Sequence, residues 1–238
     1  MPAPDLTEVT SGALLDAVHA NVLSLAFPPD ELISAAALRE SVAGGATSVI
    51  AAVDDTGAPV GAAVGDWSDE TEVVLLSYLA VRRDGRRGGL GSWLLTHAVA
   101  QWRQRWNPCL ILAEIEHPAV HRGSEETGDP WARVRFYARH GVRPLAVPYF
   151  QPPVHPGGRR VPGLTLAVVY AADAGLGPTP DTVDGQRLTR WLRRYLIGAE
   201  GSVGDDAATV AVLAALDRPG GVPLLSYEDV TAVPYSTG

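Results

Sequence analysis

Apolar positions along the chain change period several times, and each change marks an element. Residues 11–27 place Leu14, Leu15, Val18, Val22 and Leu25 at helical spacing, with Ser11 as N-cap. Pro28 and Pro29 end that helix, and Asp30 is placed to cap a second one over 31–42, closed by Gly44 and Gly45. Residues 47–53 and 60–67 read as paired strands across a turn at 54–57. Residues 72–81 form a longer apolar run, expected as a central strand covered on both faces. Over 89–106, Leu90, Leu94, Ala98 and Trp102 share one helical face. A strand at 109–116 and a helix at 131–140, stopped by Gly141, follow. Two closing strands, 142–147 and 164–171, flank a Pro/Gly-rich loop at 148–162.

From Ala172 the texture changes. A linker at 175–180 leads to Leu188, Trp191, Leu192, Tyr195 and Ala199, a strong amphipathic stripe, and then to a helix over 206–216. The expected division is a main domain at 1–171 and a helical extension at 172–238. The element order indicates a mixed α/β (α+β) fold, since it lacks the strict strand–helix alternation of a doubly wound sheet.

Composition narrows the choice. With 46% hydrophobic residues in 238, a substantial core is available. A net charge of −8 argues against nucleic-acid binding, which rests on neutralising phosphates. The single cysteine, Cys109, excludes an intrachain disulfide and a cysteine metal site. Residues 1–10 lack a cationic start and an apolar run, and no apolar stretch is long enough to span a bilayer. A cytoplasmic protein with no membrane partner is expected.

Against this acidic background, residues 79–92 stand out. An apolar strand runs into a turn holding Arg82, Arg83, Arg86, Arg87, Gly88 and Gly89, which opens directly into a helix. Glycines let main-chain N–H groups approach a ligand, and a helix N-terminus adds orphan donors and a positive dipole end. The combination suits a phosphate. The Gly-Lys-Ser/Thr closure of a P-loop is absent, as is the third glycine of a dinucleotide fingerprint. Arg86-Arg87-Gly88-Gly89-Leu90-Gly91 resembles instead the R/Q-x-x-G-x-G/A signature of the GNAT superfamily of N-acetyltransferases. The preceding Leu79-Ala80-Val81, the following amphipathic helix, the strand at 109–116 and Phe136-Tyr137 before Gly141 fall in that family's order. The resemblance covers about residues 11–171.

The resemblance implies a mixed, mostly antiparallel sheet flanked by helices, with acetyl-CoA as co-substrate and no metal. Arg86, Arg87, Gly88, Gly89, Leu90, Gly91 and Ser92 would hold its pyrophosphate. The backbone of Leu79, Ala80 and Val81 would pair with the pantetheine arm, and a main-chain N–H of Leu79 or Ala80 would polarise the thioester carbonyl. Tyr137 would protonate the departing thiolate. The acceptor would be a primary amine of a small molecule or peptide. It must arrive neutral, so a base is needed at neutral pH. The family's base positions on the fourth strand correspond to Leu75 and Ser77, and leucine accepts no proton. Glu114 and Glu116, two apart on a strand, share a side, and paired acids raise one pKa. Either is a candidate base; a solvated strand end is the alternative. Phe27, Ser77, Tyr149 and Gln151 are placed on the acceptor side, and the acidic loop at 123–129 could attract a cation. His117 and His121 are assigned to a loop, and Cys109 to the core. The extension packs on the main domain or forms a homodimer surface. A non-catalytic acyl-CoA-binding or regulatory module on the same fold is the other functional reading.

Overall fold

A computed structural model describes residues 4–83, 88–123 and 128–237. The chain divides into two compact units: Met1–Ser68 with Val74–Asn107, and Asp69–Val73 with Pro108–Gly238. Arg86 and Arg87 of the predicted cradle, and most of the acidic loop, lie outside the described residues.

The first unit contains β1 (Asp5–Glu8), α1 (Gly12–Val18), α2 (Ala35–Ala43), β2 (Thr47–Val53), β3 (Pro59–Ser68), β4 (Val73–Val81) and α3 (Leu90–Trp106). Its strands lie in the order β1-β2-β3-β4, with antiparallel ladders joining β1 to β2 and β2 to β3. One face buries Val49, Ala51, Ala62, Val64 and Tyr78 against Leu15, Val18 and Leu38 of α1 and α2. α3 covers the other face at close range. A Cβ at Gly65 would lie 2.5 Å from the Trp102 ring, so glycine there sets the helix–sheet distance. Trp67, of the same parity, stacks on Trp106.

The opening helix is shorter than its periodicity predicts. α1 ends at Val18 and continues as a π-turn over His19–Leu23, which leaves Leu25 exposed. Asp30 lies within a short 3₁₀ turn, Pro29–Glu31; Ser34 caps α2 instead, its side chain accepting from Ala37 N. β1 was not expected, because four residues on a sheet edge carry almost no periodic signal.

The second unit contains β5 (Leu110–Glu116), α4 (Pro130–Arg139), β6 (Arg143–Pro144), β7 (Leu164–Ala171), β8 (Thr182–Val183), α5 (Gly185–Glu200), α6 (Ala207–Leu216) and β9 (Val222–Pro223). Its main strands run β5-β7-β6, antiparallel throughout. The strand expected at 142–147 is reduced to the two residues of β6, after which Leu145 bridges to Leu224. α4 buries Pro130, Val134 and Tyr137 while Trp131 stays exposed. The segment beyond Ala172 is integral to this unit. Arg143 bonds the Leu224 carbonyl at 2.7 Å and Asp181 at 2.6 Å, and Arg187 donates to the Thr71 carbonyl at 2.6 Å. α5 buries Leu188, Trp191 and Leu192 of the expected stripe, with Leu196 in addition, while Tyr195 and Ala199 are half-buried. The fold class is the expected one: mixed α/β, with mostly antiparallel strands flanked by helices. Among the described residues, no helix is long and apolar enough to cross a membrane.

Candidate active site

In the first unit, β4 leads through the Gly88-Gly89 turn into α3. Gly89 is the N-cap of α3 and sits at φ 75°, a left-handed conformation that a residue with a Cβ resists. Among the described residues, no side-chain cap bond is made at the helix start, and its first turn carries no acid. Gly88 and Gly89 are exposed, and a Cβ at either would meet nothing within 4 Å. Like any helix N-terminus, this one carries orphan main-chain donors and a positive dipole end. Leu90 is buried, while Gly91 and Ser92 are half-buried.

Along β4, Leu79 and Val81 are half-buried and Ala80 is buried. Ser77 Oγ donates to Asp66 Oδ2 on β3. Asp66 alternates with Gly65, so it lies on the face away from α3. It also accepts from Thr47, its register partner on β2, which bonds Ser41 of α2 in turn. Tyr78 reaches this same face. Its ring packs edge-on to Phe27 at 5.0 Å, and its hydroxyl donates to the Glu31 carbonyl and accepts from Ile33 N, both at 3.1 Å. Burial raises the Asp66 carboxyl above the usual range, with hydrogen bonds from Ser77 and Thr47 opposing.

The second unit gathers three residues singled out from sequence. Glu114 on β5 accepts from Tyr149 Oη at 2.6 Å and from Gln151 Nε2 at 2.7 Å. Tyr149 is fully buried, and desolvation together with the Glu114 charge pushes its phenol well up. Gln151 Oε1 is buried without a hydrogen-bond partner. Glu116 lies on the same side of β5 but pairs with Arg133, with His121 Nδ1 at 3.9 Å. The two glutamates thus do not bond to each other as a paired dyad; each is held by partners of its own.

Tyr137 on α4 is buried, its ring edge-on to Phe136 at 5.1 Å. Burial pushes its phenol up to about 12, while the Arg133 charge opposes the shift. His117 is buried against Tyr235, and desolvation lowers its pKa. Cys109 is buried, and its thiol donates to Glu72 at 3.1 Å.

Sequence reasoning missed Asp66. The available signal was its parity with Ala62 and Val64: an acid on the face otherwise given to the core. It becomes conspicuous only once Thr47 and Ser77 are known to flank it on neighbouring strands.

A strand followed by exposed Gly88 and Gly89 at the start of a long helix, on a mostly antiparallel sheet, defines an α/β protein with a strand–turn–helix unit. Residues 45–144 match the family model for the acetyltransferase (GNAT) domain. A GNAT-family protein from Bacteroides thetaiotaomicron aligns with 22% identity and a TM-score of 0.54, over 81% of this chain and 96% of that one. A protein from Acinetobacter baylyi ADP1, assigned as an acetyltransferase, aligns with 15% identity and a TM-score of 0.50, over 74% and 97%. At these identities the likeness is one of fold. No curated protein matches the sequence.

Proposed function

We propose that this chain is an acyl-CoA-dependent N-acetyltransferase that moves an acetyl group directly from acetyl-CoA to the primary amine of a small molecule or peptide. The observation that carries the proposal is the exposed, left-handed Gly89 turn at the start of α3, in a segment that matches this family's model. On this reading the amides of 88–92, with Arg86 and Arg87, hold the pyrophosphate. Main-chain groups of Leu79, Ala80 and Val81 take the pantetheine arm, and one N–H of this strand polarises the thioester carbonyl. Phe27, Ser77, Tyr149 and Gln151 serve the acceptor side.

Tyr137 is assigned as proton donor to the departing thiolate. Its raised pKa keeps the phenol protonated throughout the neutral range. Passing a proton from a phenol at about 12 to a thiolate at about 8.5 is uphill by about 5 kcal/mol, so the phenol must be refilled as it donates. Glu114 and Glu116 are assigned to holding Tyr149, Gln151 and Arg133.

Thiol release from acetyl-CoA across a panel of amines tests the proposal, and turnover with at least one amine is expected. Tight acetyl-CoA binding without turnover would make the chain a non-catalytic acyl-CoA-binding or regulatory module. Absence of binding would overturn both readings.

A further inference from the structure

The acetyltransferase reading leaves one chemical requirement unassigned. An alkyl ammonium has no lone pair, and its pKa of about 10.4 leaves little free amine at pH 7. Something beside the thioester must take a proton. We infer that Asp66 is the proton acceptor for the incoming amine, reached through the hydroxyl of Ser77. This inference rests on the acetyltransferase reading and adds the missing base to it.

The geometry carries it. Ser77 lies on β4 two residues before Leu79, a strand distance of about 6.5 Å. A thioester whose carbonyl bonds the Leu79–Ala80 main chain therefore has Ser77 within reach of the attacking nitrogen. The Ser77 hydroxyl donates to Asp66 Oδ2, and its oxygen retains lone pairs. Both residues are half-buried, so a ligand can approach without unfolding the strand. The setting is otherwise apolar, with Val64, Tyr78 and Ala80 in the adjoining core.

Among the described residues, burial and hydrogen bonds from hydroxyls set this carboxyl. Thr47 from β2 and Ser77 from β4 bond it, and Ser41 from α2 stands behind Thr47. On the helices over this face, Arg39 bonds Asp16, and His19 bonds the Ile33 carbonyl. Desolvation is the leading influence, and it makes the carboxylate more willing to take a proton.

The step balances. The ammonium gives one proton to Ser77 Oγ while that hydroxyl passes its own to Asp66 Oδ2. The freed nitrogen lone pair forms the C–N bond and the C–S bond breaks. The second nitrogen proton ends on the departing thiolate, and Asp66 returns its proton to solvent.

The test compares wild type with Asp66→Asn, Asp66→Glu and Ser77→Ala. Tyramine, spermidine and a tetrapeptide with a free N-terminus serve as acceptors, and kcat is followed from pH 6 to 10 beside Tm and acetyl-CoA Kd. In Asp66→Asn, kcat at pH 7 should fall about 100-fold and recover as pH rises toward the pKa of the amine. Kd should stay within about twofold and Tm should hold or rise. Ser77→Ala should fall in the same direction, and Asp66→Glu should regain part of the rate. A kcat within about threefold of wild type in Asp66→Asn would overturn the inference and leave the acetyltransferase reading intact. So would a loss uniform with pH and accompanied by collapse of Tm. No turnover in wild type with any acceptor would sink both.

Discussion

Gly89 shows how a single dihedral angle can decide a binding surface. At φ 75°, a β-branched residue would be strained by about 1–3 kcal/mol and would project into the space that a ligand needs. Gly89→Val should therefore lower Tm by a few degrees and raise the acetyl-CoA Kd at least about tenfold, both measurable on one sample by thermal melt and titration. Unchanged affinity would mean that the turn holds nothing. Tyr137 makes a separate prediction. In Tyr137→Phe, thiol release should drop about 100-fold. The phenol also links to stability. Its folded pKa of about 12 lies above the unfolded value near 10, so its contribution is intact below pH 10 and is lost as pH climbs toward 12. That amounts to about 3 kcal/mol, so urea midpoints at pH 9 and 11 should differ less in Tyr137→Phe than in wild type. Much of this was legible in the residues. Glu114, Tyr149 and Gln151 were named separately from their chemistry, and they meet in one cluster. Asp66 was not legible, because its partners come from two other strands, and pairing between strands is a tertiary fact.

Long elements with whole turns of periodic signal were readable, and short or interrupted ones were not. α3 and α5 carry several repeats of an apolar stripe, and β4 is a continuous apolar run. β1, β6 and the π-turn after α1 are set by edge pairing or by one inserted residue, and neither leaves a periodic trace. The loop at 148–162, read from sequence as a Pro/Gly-rich connection, is pinned. Gln151 bridges to Val161, and Arg160 forks onto Glu200 at 2.7 Å while bonding Asp206 at 2.9 Å. Arg160 also lies over the Phe150 ring, 4.3 Å from its centre. Arg160→Ala should destabilise by about 2 kcal/mol, read as a lower urea midpoint with an unchanged slope. Its partner Asp206 is held well below the usual carboxylate range, first by the Thr209 amide. Its stabilising contribution is therefore present above pH 4 and lost as pH falls further.

At the scale of the molecule, the family resemblance and the mixed, mostly antiparallel architecture followed from the order of elements and one glycine turn. The place of the last third of the chain did not follow. Its stripe announces burial without saying against what. The answer lies in individual contacts: Arg143 bonded to Leu224 and Asp181, Arg187 to Thr71, and Leu145 bridged to Leu224. Cutting the chain after Ala171 should thus strip partners from β6 and the residues after it, rather than trim an appendage. The truncated protein should lose its cooperative melt by circular dichroism; a sharp transition near that of the full chain would show the extension to be dispensable.

The turn before α3 has a last implication, on the reading that it seats a diphosphate. What the ligand would read there is backbone, and backbone has no identity to mutate. Neighbouring side chains on such a seat are free to drift, provided the chain still bends at Gly89. Divergence among related enzymes should therefore gather around the bend and spare the bend itself, because heredity there preserves a shape more than an alphabet.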